Sequence, residues 1–336
     1  MKNKLSPLAY QVSLRLEGFR DKKILIAFSG GRDSSVLLQI LNEMRTRLNL
    51  QLAVAHIHHG DDQCSNSQKT YRENAASFSE QIAKKHALAF FLKKPDKSLK
   101  AGLRQDKNLW GETGNLQSES ALRKVRVSLL ESIRQEHDFD FIAYAHHAQD
   151  LFETRLIRFI RGTGGMGLES MRLSAGRKLR PLLLHWPDEI NSYAKKNGLF
   201  YVDDPSNKDV GYLRNWIRNE WLAQLESKRP GAMRSFARSL ELLAQESNSF
   251  HASGEGEATS ALRMTSIDRK KFNSLSASAR STCIANYLRE NLVQNYSHNM
   301  IQEICKRLDT PRKQLSFTVA GCEWTANAKQ ISAKML

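Results

Sequence analysis

A glycine-rich turn between an apolar run and a helix-like segment has the residue types and spacing of a phosphate-binding loop. The apolar run covers Ile24 to Phe28, and the turn that follows reads Ser29-Gly30-Gly31-Arg32-Asp33-Ser34. Apolar residues recur at helical spacing from Val36 to Met44, which predicts a buried strand, a tight turn and a helix start. Backbone amides at a helix start favour an anion, and phosphate suits them well. The turn lacks the Gly-Lys-Ser/Thr ending of a Walker A loop, and an ordinary loop is the alternative.

Histidines stand at the predicted ends of two further strands. One strand runs to His56 and its neighbours, and another over 139–145 is followed by His146 and His147. Strands that alternate with helices predict an α/β fold with a doubly wound parallel sheet, in which ligands bind at the carboxyl ends of the strands. We therefore expect Ser29, His56 and His146 to meet in one crevice, where the histidines would contact adenine or ribose. Polar loop residues without a role are the alternative.

Two acidic residues, Asp150 and Glu153, lie three positions apart in a helix predicted over 149–161. Both can point from one helical turn into the same crevice. In that place they could hold Mg²⁺ or orient a cationic substrate. The alternative is a pair of acids that only stabilises the dipole of the first helical turn.

The chain is strongly basic, with a net charge of +16 and an isoelectric point near 9.7. This charge favours a polyanionic partner such as a nucleic acid, although a protein that is basic only for solubility is the alternative. A Gly-x-Gly-x-x-Gly sequence spans Gly162 to Gly167, but it follows a predicted helix rather than a strand. We therefore interpret it as a flexible loop and not as a dinucleotide fingerprint.

The chain divides by composition into three predicted parts: a doubly wound domain over 1–207, a helical basic part over 208–250, and a small α+β domain over 262–336. The Ser/Gly-rich segment 247–260 is interpreted as a linker. Helices are predicted over 276–291 and 298–308, and a hairpin over 315–325 that turns at Ala320-Gly321. No signal peptide or membrane span is predicted, so we expect a cytosolic protein.

Two more segments complete an ordered set of motifs. A helix predicted over 118–134 carries Glu119, Arg123 and Arg126, of which the first two alone would be an ordinary ion pair. The other segment is Arg214-Asn215-x-x-Arg218, after a turn-rich stretch. In this order the motifs resemble those of the tRNA(Ile)-lysidine synthetase family of PP-loop ATPases, over residues 24 to 247.

The sequence departs from the pattern of this family at two places. Asp61-Asp62 follow Gly60 where the family usually has Leu-Arg. Gln149 and Leu151 replace an acid and a glutamine in the segment that contains Asp150 and Glu153. The departures concern ground-state contacts more than catalysis, because both remaining acids are present.

The resemblance implies a PP-loop catalytic domain and a reaction in two steps. ATP would adenylate carbon 2 of the wobble cytosine in a tRNA(Ile) with a CAU anticodon, and free L-lysine would then displace AMP to give lysidine. The resemblance assigns ATP binding to Ser29, Gly30, Gly31, Arg32, Asp33, Ser34, His56 and His146. It assigns catalysis to Asp33, Arg123, Arg126, Asp150 and Glu153, with Asp33 also holding Mg²⁺.

The same resemblance implies contacts with tRNA along the basic stretches and in the C-terminal domain. The predicted tRNA-binding residues are Arg155, Arg158, Arg161, Arg180, Arg214, Asn215 and Arg218. A homodimer is left open. Two other functions stay as alternatives. A PP-loop tRNA thiolase is disfavoured because Cys64 is the only cysteine of the catalytic domain, and a non-catalytic tRNA-binding paralogue is disfavoured by the intact glycine-rich turn.

Overall fold

The computed structural model describes residues 5–58, 66–95, 119–163, 165–202, 204, 213–252, 266–291, 293, 296, 298–310 and 314–335. Contacts between residues divide the chain into two units. The first unit comprises Met1–Thr154 and Ser170–Met233, and the second comprises Arg155–Glu169 and Arg234–Leu336. These units group residues 155–169 and 208–233 differently from the three predicted parts, and the three-domain division stays a prediction.

The first unit contains a six-stranded sheet in the order β3-β2-β1-β4-β6-β5. Its strands are β1 (Lys23–Ala27), β2 (Gln51–Ile57), β3 (Ala89–Lys93), β4 (Phe141–Ala143), β5 (Ser174–Ala175) and β6 (Lys178–Leu179). All neighbours pair in parallel except β5 and β6, which form a short antiparallel hairpin at the edge. The predicted mostly parallel sheet is therefore confirmed. The hairpin was not predicted because two-residue strands are too short to produce an alternating pattern.

Helices account for most of the remaining described residues. They are α1 (Pro7–Leu16), α2 (Arg32–Met44), α3 (Asn66–Lys85), α4 (Glu119–Glu136), α5 (Ala148–Ile160), α6 (Pro187–Lys196), α7 (Leu213–Trp216), α8 (Leu222–Lys228), α9 (Ala232–Ala252), α10 (Arg269–Ser274), α11 (Ala277–Glu290) and α12 (His298–Leu308). A π-helical turn over Ile217–Trp221 joins α7 to α8. Within the described ranges, no helix is long and apolar enough to cross a membrane.

The central strand β1 is buried on both faces, which explains its uninterrupted apolar sequence. Ile24 and Ile26 pack in a cluster with residues of α1, α2 and α6, whereas Leu25 packs in a separate cluster with residues of α4. All three side chains are completely buried. Truncation of such a residue to alanine costs about 2–5 kcal/mol, so these strands hold the carboxyl edge of the sheet in a fixed position.

Two predicted boundaries are wrong. The amphipathic pattern of residues 1–23 predicts one short helix, whereas α1 covers only Pro7–Leu16 and begins after Ser6, whose hydroxyl accepts a hydrogen bond from the amide of Ala9 at 3.2 Å. The linker predicted from residue 247 begins too early, because α9 continues to Ala252. The rest of that predicted linker, 253–260, lies outside the described residues.

The second unit contains an antiparallel sheet in the order β7-β10-β9-β8. Its strands are β7 (Ile267–Asp268), β8 (Leu315–Val319), β9 (Cys322–Ala326) and β10 (Gln330–Met335). The predicted hairpin is confirmed as β8 and β9, and its turn residues Ala320 (φ 59°) and Gly321 (φ 68°) both have the positive φ of a tight hairpin turn. Trp324 of β9 is completely buried and stacks with Phe317 at a centroid distance of 6.4 Å.

Candidate functional site

The loop after β1 has the backbone geometry of an anion-binding turn. Gly30 has a φ of +86°, and a Cβ atom at this position would lie 3.0 Å from Val202 Cγ2, so only glycine fits without strain. The loop is held by its own hydroxyl groups: Ser34 Oγ donates to the Gly31 carbonyl at 2.8 Å and lies 3.2 Å from Ser29 Oγ. The helix α2 begins directly at Arg32, and its amides and dipole favour an anion at this end.

Asp33 lies beside this loop and contacts a histidine from another strand end. Its carboxylate accepts a hydrogen bond from Arg32 Nε at 2.9 Å, and its Oδ2 lies 3.6 Å from His147 Nε2. Burial works to raise the pKa of Asp33, but the hydrogen bond and charge of His147, with a smaller effect of Arg32, lower it. Asp33 is therefore an anion at the edge of the phosphate loop.

His147 joins Asp33 to the first turn of α5. Its amide donates to Asp150 Oδ2 at 3.1 Å, and the amide of Asp150 donates to His147 Nδ1 at 3.4 Å. Burial would lower the pKa of His147, but the hydrogen bond to Asp33 and the charges of both acids raise it. The sequence predicts a role for His146 and none for His147, although it is His147 that contacts Asp33. Two adjacent histidines after the strand indicate that one of them faces the phosphate loop, but the sequence does not indicate which one.

Glu153 is completely buried and is held by a bidentate ion pair. Arg218 Nε donates to Oε1 at 2.7 Å and Arg218 Nη2 donates to Oε2 at 2.8 Å, while the same Nη2 donates to Asp150 Oδ1 at 3.0 Å. Burial would lower the pKa of Arg218, but its bonds to Glu153 and Asp150 raise it. We call Asp33, His147, Asp150, Glu153 and Arg218 the acid network.

The departure at Gln149 has a structural explanation. Gln149 Nε2 donates to Glu153 Oε1 at 3.0 Å, so the amide adds a hydrogen bond to the buried acid where a carboxylate would add a like charge. The replacement keeps Glu153 fully bonded. Leu151 is buried, as its place in the first turn of α5 allows.

Arg214 and Arg218, predicted to contact tRNA, point into the acid network. Arg214 Nη2 donates to Thr154 Oγ1 at 2.6 Å, and its Nε lies 3.5 Å from Glu153 Oε2. The side chains of Arg214 and Arg218 are 17% and 31% exposed. Their contact with tRNA and that of Asn215, which lies between them on α7, stay predictions, but the two guanidinium groups already neutralise buried acids.

His56 and His146, predicted to contact ATP, lie at the ends of β2 and β4. The His56 Nδ1 atom is 2.9 Å from the Phe28 carbonyl and 3.1 Å from Ser79 Oγ, so this ring ties the end of β2 to the phosphate loop and to α3. Burial lowers the pKa of His56, which favours the neutral ring. His146 instead stacks on Tyr144 at 5.6 Å. Their contact with nucleotide stays a prediction.

A group of basic residues lies near His146 on the face of the sheet that α4 covers. Burial, followed by the charges of Arg123, Arg180 and Arg126, lowers the pKa of His146, with Asp150 acting in the opposite direction. Arg180 was expected on an RNA-facing stretch, but it is 9% exposed and donates from Nη1 to the Arg172 carbonyl at 2.9 Å. Arg180 follows the strand β6, which the sequence did not predict, and its contact with tRNA stays a prediction.

The arginines of the second part of α5 fold against the glycine-rich segment that follows them. Arg155 Nε donates to the Leu168 carbonyl at 3.2 Å, and Arg158 Nη1 donates to the Gly167 carbonyl at 2.9 Å. Residues Gly165–Leu168 form a 3-10 turn where a flexible loop was predicted, and Gly164 lies outside the described residues. Arg161 is exposed at the end of this helix.

The predicted Mg²⁺ site at Asp33 has suitable donor atoms but few of them. Among the residues that the structure describes, no three histidine, cysteine or acidic side chains converge in a way that would hold a metal ion. Mg²⁺ is commonly bound through one or two carboxylates together with substrate phosphates. The partly exposed Asp33 carboxylate beside the phosphate loop fits that pattern.

The sequence of the chain is similar to those of known proteins. The model of a PP-loop domain family matches residues 5–225. A tRNA(Ile)-lysidine synthase from Bdellovibrio bacteriovorus is 35% identical over 96% of this chain and 94% of its own length. One from Geobacter sulfurreducens is 35% identical over 67% of this chain and 44% of its own length. The chain therefore spans nearly all of the first relative and less than half of the second.

A solved structure shares the fold at low sequence identity. It is a U34-tRNA thiolase from Methanococcus maripaludis with its [4Fe-4S] cluster, 19% identical, with a TM-score of 0.55 over 74% of this chain and 80% of that one. At this identity the likeness concerns the fold alone.

Proposed function

The chain belongs to the tRNA(Ile)-lysidine synthase family of PP-loop, ATP-using ligases, and we propose that it forms lysidine at the wobble position of a tRNA(Ile) with a CAU anticodon. ATP would adenylate carbon 2 of the wobble cytosine with release of pyrophosphate. The ε-amine of L-lysine would then attack that carbon and expel AMP. The observation that carries the proposal is the chain of contacts from the phosphate loop through Asp33 and His147 to Asp150.

The loop after β1 would bind the phosphates of ATP. Amides of residues 30–34 supply donors without side-chain charge, and the α2 dipole adds to their effect. Asp33 is the residue that would hold Mg²⁺, and the ion would supply positive charge to offset that of the phosphates. Because the cytosine carbonyl is a poor nucleophile, positioning and charge stabilisation must supply most of the acceleration. Arg123 and Arg126, at the start of α4, are the proposed guanidinium groups for that charge.

The acid network would serve the lysine step. Asp150, whose side chain is 17% exposed, is the acid that an incoming ammonium group could reach, whereas Glu153 is enclosed. Lysine must lose a proton before it attacks, and a carboxylate or His147 within hydrogen-bond reach can accept it. Glu153 and Arg218 would then orient Asp150 through the bond from Arg218 Nη2. In this proposal Glu153 orients Asp150 and does not contact lysine itself.

Binding of tRNA would use the exposed part of the basic surface. Arg161 is exposed, whereas Arg155 and Arg158 already bond the backbone of the loop at 167–169. Contacts between exposed arginines and the phosphates of tRNA contribute affinity that falls as the salt concentration rises. The proposed partner set is therefore tRNA(Ile), ATP with Mg²⁺, and L-lysine, and the homodimer remains an expectation of the sequence alone.

The direct test is mass spectrometry of nucleosides from the tRNA after incubation with ATP, Mg²⁺ and L-lysine. We expect a lysine-substituted cytidine in a CAU transcript, and none in a transcript with uridine at the wobble position or without ATP. Asp33→Asn should abolish the product, whereas Asp138→Asn, the same change in an exposed turn before β4, should leave it intact. A product that contains sulfur, or no modified nucleoside at all, would contradict the proposal.

A further inference from the structure

Four basic side chains gather on one face of the sheet beside β4. Arg123 and Arg126 lie on α4, while Lys178 belongs to β6 and Arg180 follows directly after it. Ile142 pairs with Lys178 in the sheet, and the Tyr144 amide donates to the Leu179 carbonyl at 2.8 Å. Residues that alternate along a strand share a face, so Lys178 and Arg180 flank Ile142 and Tyr144. We call Arg123, Arg126, Lys178 and Arg180 the basic cluster.

The charges that act on Lys178 are mostly positive. Burial and then the charges of Arg180 and Arg123 lower the pKa of Lys178, and Glu131 is the acid that acts in the opposite direction. Glu131 is already bonded by Arg134 Nη2 at 2.7 Å and by Gln135 Nε2 at 3.2 Å. Cations that repel one another in a partly buried place are costly, and an anion is the natural way to offset that cost.

Three polar atoms at the cluster are buried without a hydrogen bond. Tyr144 Oη, His146 Nδ1 and Arg180 Nε have no partner in the part of the chain that the structure describes. Tyr144 is 6% exposed, and burial, the largest effect, raises its pKa to about 12 despite Arg126 and Arg180, so the phenol stays protonated and can donate. A buried polar group without a partner is unfavourable unless a ligand supplies one.

Opposite charges therefore act on His146. Asp150 acts on His146 from the acid network, and Arg123, Arg180 and Arg126 act on it from the basic cluster. His146 stacks on Tyr144, and its lowered pKa favours the neutral ring. A ligand that carries a cation at one end and an anion at the other matches this arrangement, and free lysine, with its ε-ammonium and α-carboxylate, is such a ligand.

We propose that Tyr144, Lys178 and Arg180 bind the α-carboxylate of the amino acid substrate, while its ε-amino end lies toward Asp150. This proposal rests on the proposed function. It goes beyond it by assigning a carboxylate subsite to residues outside the phosphate loop and the acid network. A carboxylate accepts hydrogen bonds from a phenol, an ammonium and a guanidinium group, and all three donors are present.

A phosphate of ATP is the other oxyanion that Lys178 and Arg180 could bind, because Arg123 and Arg126 of the same cluster are already proposed to stabilise phosphate charge. The sheet order places β4 between β1, which carries the phosphate loop, and β6, which carries Lys178. The phosphate loop therefore lies across β4 from the cluster, and it already offers a set of amides for the triphosphate. This separation of Lys178 and Arg180 from the phosphate loop along the sheet favours the carboxylate end of lysine at these two residues.

The test compares L-lysine with 1,5-diaminopentane, which has the same reacting amine and lacks the carboxylate. The wild-type enzyme should prefer lysine strongly in kcat/KM for the second step. Lys178→Met and Tyr144→Phe should raise the KM for lysine by roughly tenfold or more and leave the KM for the diamine nearly unchanged. The preference for lysine should therefore fall by about the same factor.

Arg177→Met is the matched control, because Arg177 is the exposed neighbour of Lys178 in the same hairpin. It should keep the wild-type preference, and thermal unfolding should show that each variant is folded. A raised KM for ATP with an unchanged preference would assign the cluster to phosphate and overturn the proposal. An unchanged preference in both variants, or an equal loss in Arg177→Met, would overturn it too. A wild-type enzyme that transfers no lysine would instead contradict the proposed function, on which this subsite depends.

Discussion

The acid network and the basic cluster occupy neighbouring places at the carboxyl edge of one sheet, but they differ in how their charges are satisfied. Glu153 in the acid network receives donors from Arg218 and Gln149, although none of its surface is exposed. At the basic cluster, Arg180 Nε and the Oη atom of the neighbouring Tyr144 lack a hydrogen-bond partner among the described residues. Glu153 is therefore satisfied by donors within the protein, whereas the proposed carboxylate subsite would receive its partner from a ligand.

This difference predicts opposite responses to mutation. In a buried ion pair, removing one member leaves the other charged and unpaired. Removal of either member therefore lowers the stability of the folded protein. An unsatisfied donor destabilises the ligand-free protein, so removing it should cost no stability and should affect only ligand binding. Stability and activity should therefore change together in the acid network and separately in the basic cluster.

The largest effect is expected for Arg218→Met. This change leaves the fully buried Glu153 without its bidentate partner and should lower the free energy of unfolding by about 3–5 kcal/mol. Urea unfolding followed by circular dichroism measures the change. The double variant Arg218→Met/Glu153→Leu should recover much of the loss, and a single variant as stable as the wild type would show that the network is not a completed ion pair.

Asp150→Asn should reduce turnover by roughly a hundredfold or more, because asparagine keeps the shape of the side chain but offers no negative charge to the lysine ammonium. Adenylated tRNA and lysidine are measured separately by mass spectrometry. We expect the lysine step to be slowed more than adenylation. Asp138→Asn serves as the control, and wild-type rates for both steps in Asp150→Asn would mean that this helix start is only structural.

Unlike Arg218→Met, Tyr144→Phe should not lower the stability of the lysine-free protein. Removal of a buried hydroxyl without a partner should leave the lysine-free protein equally stable or more stable by about 1 kcal/mol. Added lysine should stabilise the wild type more than the variant, as seen in thermal unfolding at increasing lysine concentration. A loss of stability without lysine, equal to that of a core truncation, would place Tyr144 Oη in an internal hydrogen bond.

The smallest effect is expected for Arg161→Glu, outside both clusters. Arg161 is exposed, so its reversal should leave stability nearly unchanged and weaken tRNA binding. The slope of log affinity against log salt should fall by about one unit for each phosphate that the protein no longer neutralises. Filter binding at several salt concentrations measures it. If affinity and slope both stay at the wild-type values, Arg161 does not contact tRNA.

Strands, turns and helix starts that depend on residues close together in the chain could be predicted from the sequence. The strand at Ile24, the turn at Gly30 and the helix start at Arg32 follow from an apolar run, a glycine and a helical repeat, and the structure contains all three. The β8–β9 hairpin was predicted for the same reason, since its turn chemistry lies in Ala320 and Gly321. Periodicity encodes such local structure directly.

The pairing of charged side chains depends on the tertiary structure and could not be predicted from the sequence. Arg218 lies 65 residues from Glu153 in the chain, and nothing in the local pattern of either segment indicates that they pair. The choice of His147 over His146 as the neighbour of Asp33 depends on how β4 ends beside β1. Lys178 and Arg180 reach Tyr144 only because the two-residue strand β6 pairs with β4. Strand order and register are set by packing of the whole sheet, which local periodicity does not encode.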